Sequence, residues 1–247
     1  MKSTVLVFSP HQDDATLGCG GTIIKKKRAG AQVKIVYMTD GAKSHEHLIS
    51  EERLKLIRAN EALKASRLLG LEEKDVAFLE YRDRELAESQ ISAIGKVSKI
   101  LQLHKPNEIF IPHHKEPPQW WSKDHLATNR IVMSALHAYD KKPTVYEYPV
   151  WLWYHQPLIF KSISKAKETL MGIIPSLVSR FILLKDFRYS VYIGDVLQLK
   201  HAALNQYRSQ MTRLIPVPQW STLGDVLNGE FLEYFFQKYE LFHRFTP

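Results

Sequence analysis

The sequence predicts an α/β fold: a mostly parallel β-sheet with helices on both faces, forming one domain over residues 1–247. Short runs rich in β-branched residues alternate with amphipathic segments of helical length, which is typical of parallel strands joined by helices. Apolar runs such as VLVF and KIVYM are nearly continuous, as expected of strands that are buried on both sides. No linker rich in Ser, Gly or Pro divides the chain, so we expect a single domain.

The predicted strands, in chain order, are residues 3–9, 31–39, 75–81, 107–112 and 143–151. The predicted helices follow them: one that ends near Ala29, then residues 50–69, 88–103, 123–139 and 195–210. The helix over 50–69 has the clearest pattern, because Leu and Ile recur at helical spacing and Gly70 stands where a helix end favours glycine.

Residues 152–190 break this alternation and are interpreted as an insertion. The segment is apolar, aromatic and basic, and it has no regular period. Because it follows the carboxyl end of the fifth predicted strand, we expect it to cover the mouth of a site there.

Composition excludes several classes of protein. The apolar fraction of 45% and charged fraction of 24% are those of a globular chain. A single cysteine, Cys19, excludes an internal disulfide and fits a reducing compartment. No signal peptide or membrane-spanning stretch is recognised, so we expect a cytoplasmic protein. The net charge is +8, but no basic, aromatic or Cys/His motif accompanies it, so no nucleic acid partner is expected.

Ligands of open parallel sheets bind where the strands end, and four of the five predicted strand ends carry His or Asp. The first of them reads His11-Gln12-Asp13-Asp14. Adjacent carboxylates repel each other, and a divalent cation would relieve that repulsion. His11 and Asp14 would then be ligands while Asp13 faces a bound water. The alternative is that Asp13 or Asp14 caps the following helix.

A second set, Ser122-Lys123-Asp124-His125, opens the helix after the fourth predicted strand. His125 would face the same edge as His11. Asp124 is suited to hold a metal-binding imidazole in place without itself being a ligand. The alternative is an N-capping Ser122 with an exposed His125. The glycine-rich run at 18–21 lacks dinucleotide-binding spacing, and its small residues favour close packing of the helix on the sheet.

The motif P-H-x-D-D followed by L-G-C-G-G-T-I resembles the signature of the PIG-L/LmbE-like deacetylases. The resemblance continues through MTDG at 38–41, the YRDREL segment, Asp124-His125 and residues 200–210. It implies a Rossmann-like fold, a zinc ion and hydrolysis of the N-acetyl group of an N-acetylglucosamine-like sugar or glycoconjugate.

Position by position, the resemblance implies that three residues are metal ligands: His11, Asp14 and His125. It implies that Asp13 is the general base. It also implies that Arg58 and Asp83 contact the substrate. Two His and one carboxylate also suit Fe²⁺. The alternative for Arg58 is an ion pair with nearby acids on its own helix, and Asp83 could instead shape only a turn.

Ser122 departs from the family pattern, which has a histidine at this position that assists the oxyanion or acts as an acid. His113 or His114, just after the fourth predicted strand, are candidates to replace it. The alternative is that Asp13 acts as both base and acid. A different class of function also fits: a catalytically silent protein that binds carbohydrate or a membrane surface. The sequence leaves the sugar, its aglycone and the oligomeric state open.

Weak, salt-sensitive association with anionic membranes is predicted for the insertion. Its aromatic and aliphatic residues alternate with Lys165, Lys167, Arg180 and Lys185, as in segments that lie at a lipid interface. Charges at the interface are screened over ~8 Å at physiological salt, so co-sedimentation with anionic vesicles should fall as salt is raised. If the protein does not bind such vesicles at low salt, the segment is instead a lid or an oligomer contact.

Overall fold

A computed structural model describes residues 3–119, 121–155 and 185–247 of the chain. These residues form a seven-stranded sheet in the order β3-β2-β1-β4-β5-β7-β6. The first five strands in this order are parallel, β7 is antiparallel to β5, and β6 is antiparallel to β7. The strands are β1 (Thr4–Ser9), β2 (Gln32–Thr39), β3 (Val76–Tyr81), β4 (Glu108–Pro112), β5 (Thr144–Tyr148), β6 (Tyr189–Tyr192) and β7 (Tyr239–Phe245).

Helices pack on both faces of the sheet. They are α1 (Asp14–Arg28), α2 (Glu51–Leu68), α3 (Gln90–His104), α4 (Lys123–His137), α5 (Leu197–Leu204), α6 (Arg208–Met211) and α7 (Glu230–Glu233). Alternate residues of β1 point to opposite faces, since Val5 and Val7 join the core under α1, α2 and α5, whereas Leu6 and Phe8 join the core under α3 and α4. Both faces of the central strand are therefore buried, as the apolar runs predict.

The fold class and the five parallel strands are confirmed, and two features differ from the prediction. The antiparallel strands β6 and β7 were not predicted, and β6 begins inside the predicted insertion 152–190. The helix predicted over 195–210 is two helices, α5 and α6. The second of them is held against α2, because the N–H and hydroxyl of Ser209 donate to the Glu61 carboxylate at 2.8 and 2.6 Å.

Much of the predicted insertion, residues 156–184, lies outside the described residues, and so does the predicted membrane surface there. Within the part of the chain that the structure describes, we find no helix with the length and apolarity that a membrane span requires.

Helix α1 is bent at Cys19, and the bend explains the glycine-rich run. The N–H groups of Gly21 and Thr22, which follow the bend, each donate to the Glu240 carboxylate of β7 at 2.8 Å. A Cβ on Gly21 would lie 2.6 Å from the side chain of Ile193. The run therefore allows close packing of α1, as predicted, and the packing fixes the start of α1 at the edge of the sheet.

We expect Gly18→Ala to lower the free energy of unfolding by about 1–3 kcal/mol, because the added methyl would overlap the buried ring of Tyr148. That ring cannot move freely, since its hydroxyl donates to the Phe8 carbonyl at 2.8 Å. Gly95→Ala in α3 is the matched control: it meets no atom within 4 Å and should stabilise by about 0.5–1 kcal/mol. Thermal melts distinguish the two, at ~2–4 °C per kcal/mol. Equal effects of the two substitutions would contradict the packing role.

Candidate active site

A cavity of about 230 Å³ lies at the carboxyl ends of the parallel strands. Its lining includes residues that follow β1, β2 and β3, together with aromatic residues from the segments after β4 and β5. Those lining residues are His11, Asp13, Asp14, Ser44, His45, Asp83, Trp121 and Trp151, with Arg58 from α2. The strand-end rule therefore locates the polar cluster correctly.

Three ligand atoms meet beside this cavity, those of His11, Asp14 and His125, and all lie within 4.8 Å of one another. The Asp14 Oδ2 atom is 3.1 Å from His11 Nδ1 and 3.3 Å from His125 Nε2. Ligands about 2.0–2.1 Å from a tetrahedral zinc ion are separated by about 3.3 Å. The spacing of these atoms therefore fits a metal ion between them.

His125 supports this interpretation most strongly. Its side chain is fully buried, and neither ring nitrogen has a hydrogen-bond partner. Burial lowers the pKa of His125 to about 4, so the ring is neutral at physiological pH, which is the form that binds metals. A buried imidazole without partners is costly unless something absent from the protein chain binds it.

His11 is held by two flanking carboxylates. Its Nε2 atom lies 3.2 Å from Asp83 Oδ1 and 3.6 Å from Asp124 Oδ2, which leaves Nδ1 directed at Asp14. Burial opposes a charge on this ring, but hydrogen bonds with Asp124, Asp14 and Asp83 outweigh it and raise the pKa of His11 well above its ordinary value. Carboxylates of this kind commonly orient a metal-binding histidine.

Asp124 orients His11 rather than its sequence neighbour His125. Its carboxylate also accepts the backbone N–H of Arg84 at 2.6 Å and that of Leu86 at 3.3 Å, which ties the start of α4 to the segment after β3. The group that faces His125 Nδ1 is Glu116, whose Oε2 atom lies 4.0 Å away.

Glu116 is a buried member of the site that the sequence prediction missed. It accepts the N–H groups of Val150 and Trp151 at 2.6 and 2.8 Å, and burial raises its pKa to about 8. Its position shortly after β4 was the available signal, because the other strand ends supply the remaining site residues. His45 also lines the cavity, and its ring stacks on that of Trp220 with the ring centroids 4.1 Å apart. No pattern in the sequence indicated that His45 belongs to the site.

Asp13 faces the cavity and is held by Arg58. The Nη2 atom of Arg58 lies 2.8 Å from Asp13 Oδ1, and its Nη1 donates to the Gly41 carbonyl at 2.9 Å. Burial raises the pKa of Asp13, and the Arg58 charge opposes that rise. Asp13 occupies the N-cap position of α1, yet its side chain makes no capping bond. The alternative interpretation of Asp13 as a helix cap is therefore wrong.

Ser122 likewise stands at the N-cap of α4 without a capping bond, and its hydroxyl donates to the carbonyls of Pro117 and Gln119. The two candidates to replace the family histidine lie elsewhere. His113 and His114 lie against Glu147 and are not part of the cavity wall. The structure therefore gives no support to an oxyanion or acid role for either of them.

The family model PIG-L, described as GlcNAc-PI de-N-acetylase, matches residues 6–136, which is just over half of the chain. The diacetylchitobiose deacetylase of Thermococcus kodakarensis is 28% identical over 109 residues, or 44% of this chain. The match spans only 40% of the length of that relative.

Solved structures share the fold. N,N'-diacetylchitobiose deacetylase from Pyrococcus horikoshii has a TM-score of 0.69 at 24% identity, over 98% of this chain and 84% of that one. A 4-carboxy-2-hydroxymuconate hydratase from Pseudomonas putida has a TM-score of 0.61 at 17% identity, over 95% and 84% of the respective chains. Since a hydratase shares it, the fold alone does not determine the reaction.

The Asp13–Arg58 pair can be tested through stability. We expect Arg58→Met to lower the free energy of unfolding by about 3–5 kcal/mol, because it leaves a buried carboxylate without its partner. Asp13→Asn should offset much of this loss, so urea denaturation of the double variant should reveal a coupling of about 1 kcal/mol or more. Arg53→Met, on the exposed side of α2, should change stability by less than ~0.5 kcal/mol. If the changes in unfolding free energy caused by Arg58→Met and Asp13→Asn are additive, the Asp13–Arg58 ion pair is ruled out.

Proposed function

The chain belongs to the PIG-L family, and from this premise we propose that it is a metal-dependent hydrolase that removes the N-acetyl group from an N-acetylglucosamine-like sugar. The observation that carries the proposal is the fully buried, unpartnered ring of His125, with its Nε2 atom 3.3 Å from Asp14. A bound metal ion would supply the partner that this buried ring lacks.

His11, Asp14 and His125 would hold the ion, and Asp83 and Asp124 would orient His11. Three protein ligands with room for a further ligand are typical of catalytic zinc sites. We propose Zn²⁺ as the ion, with Fe²⁺ as the alternative that the same two His and one carboxylate allow. When bound, such an ion lowers the pKa of water and polarises a carbonyl group.

Asp13 is the residue that we assign to proton transfer. It shares the cavity with the ligand set, and Arg58 fixes its carboxylate. It would take a proton from the attacking water and return it to the nitrogen of the leaving amine, so that acetate and a free amino sugar result. Asp13 takes both roles in this proposal because His113 and His114 lie outside the cavity wall.

The cavity suits a small substrate group. Its volume of about 230 Å³ lies below that of most ligand pockets, and Trp121 and Trp151 in its wall offer faces for a sugar ring. The relatives named as diacetylchitobiose deacetylases support an acetamido sugar as the substrate. Sugar contacts by Arg58 and Asp83 stay a prediction: both line the cavity, and both also hold site residues.

Two substitutions separate the metal from the base. We expect Asp13→Asn to hold as many ions as the parent protein and to lower kcat/KM about 10²–10⁴-fold, the usual contribution of a positioned base. His125→Ala should hold one ion fewer than the parent protein and should lose the activity. Acetate release from N-acetylglucosamine and diacetylchitobiose, with elemental analysis of the same samples, measures both quantities.

Glu52→Ala, an exposed change on α2, is the control and should match the parent protein. Full activity of the Asp13→Asn variant, or of the protein after chelation, would contradict the proposal. Sugar binding without acetate release from any acetamido sugar tested would favour the silent binding protein instead.

A further inference from the structure

A second cluster of ligand-type side chains lies outside the cavity described above. It consists of His113 and His114 after β4, Glu147 of β5 and His243 of β7, whose ligand atoms all lie within 4.8 Å of one another. Glu147 and His243 are direct partners in the register of the two antiparallel strands. None of the four residues lines the cavity that holds Asp13.

The cluster is centred on one carboxylate oxygen. Glu147 Oε2 lies 2.6 Å from His114 Nδ1 and 2.8 Å from His243 Nδ1. Its second oxygen, Oε1, accepts a hydrogen bond from Asn129 of α4 at 2.7 Å, which fixes the carboxylate in place. Both distances are those of hydrogen bonds, and a small outward shift of the two rings, to about 3.3 Å from the oxygen, would form a two-imidazole, one-carboxylate donor set of the kind that binds Zn²⁺ in proteins.

His113 adds an unsatisfied polar atom to the same cluster. The ring is fully buried, and its Nε2 atom has no hydrogen-bond partner, although Glu147 Oε2 and Asp186 Oδ2 lie 3.9 and 3.8 Å away. The other nitrogen, Nδ1, accepts the backbone N–H of Lys115 at 3.1 Å. The proton of the neutral ring is therefore on Nε2, so His113 offers an N–H to the cluster and not a lone pair.

The other two rings donate from Nδ1 to the Glu147 carboxylate, and a bound ion would take the place of these two protons. The side chains of His114 and His243 are 40% and 30% exposed, so each can carry its proton on a hydrated Nε2 atom and leave Nδ1 as a ligand. The same exposure gives an ion a path of entry from solvent. A buried carboxylate between the rings supplies the negative charge that a divalent ion requires.

We propose that His114, His243 and Glu147 bind a divalent transition-metal ion at a second site, of which Zn²⁺ is the representative. His113 is a positioning residue there: its Nε2–H faces the ion's surroundings and can donate to a water or anion bound with it. The ion would link β5, β7 and the segment after β4, and would so stabilise β7 in its position in the sheet. Mg²⁺ and Ca²⁺ should not replace it, because both prefer oxygen ligands.

Elemental analysis after equilibration at a fixed low free Zn²⁺ concentration tests the site. The wild-type chain should hold one ion more than the His114→Ala/His243→Ala variant, whose affinity at this site should fall at least 100-fold. The control, His47→Ala/His137→Ala, removes two exposed histidines and should hold as many ions as the wild type. An equal ion count in wild type and the His114→Ala/His243→Ala variant overturns the proposal.

A second measurement does not depend on that variant and separates this site from the proposed catalytic one. Co²⁺ titration of the His125→Ala variant, followed by visible absorption, should still show one bound ion, which Zn²⁺ displaces and Mg²⁺ does not. Zn²⁺ should also raise the melting temperature of this variant. Absence of any Co²⁺ signal in the folded variant overturns the second site, and leaves the proposed function standing.

Discussion

The architecture of this site depends on the placement of an unpartnered, fully buried imidazole beside buried carboxylates. The Nε2 atom of His125 lies 3.3 Å from Asp14 Oδ2, which also lies 3.1 Å from His11 Nδ1, and neither nitrogen of His125 has a hydrogen-bond partner among the described residues. Burying such groups costs free energy unless their charges and lone pairs are matched. The fold accepts this arrangement because the parallel sheet brings the ends of β1 and β4 together, at the edge where α1 and α4 begin.

The groups around these residues show how the arrangement is maintained. Asp83 and Asp124 fix the orientation of His11, and Arg58 fixes Asp13. Behind them, the bend of α1 at Cys19 is stabilised by Glu240, which also pairs with the buried Lys200 at 2.8 Å. The C-terminal strand thus contributes to the geometry of a site whose sequence motif lies at the opposite end of the chain.

The sequence predicted the parts of this structure that depend on local pattern. Apolar runs identified the five parallel strands, and the strand-end rule located His11, Asp13, Asp14 and Asp83. His125 was found separately, in the polar set that opens the helix after the fourth predicted strand. Strands β6 and β7 were missed because both are partly exposed antiparallel strands, and neither has a continuous apolar run. The pairing of Asp124 with His11 and the place of His113 depend on how separate segments meet, which no spacing along the chain encodes.

The central claim is that His11, Asp14 and His125 together hold a catalytic metal ion. Anomalous diffraction from crystals of the zinc-loaded protein, collected at the zinc absorption edge, tests it most directly. We expect an anomalous-difference peak about 2.0–2.2 Å from a ligand atom of each of the three residues, with Asp13 facing the peak across the cavity. Zinc-loaded crystals in which this position has no peak, and in which His125 instead bonds to protein groups, would contradict the claim.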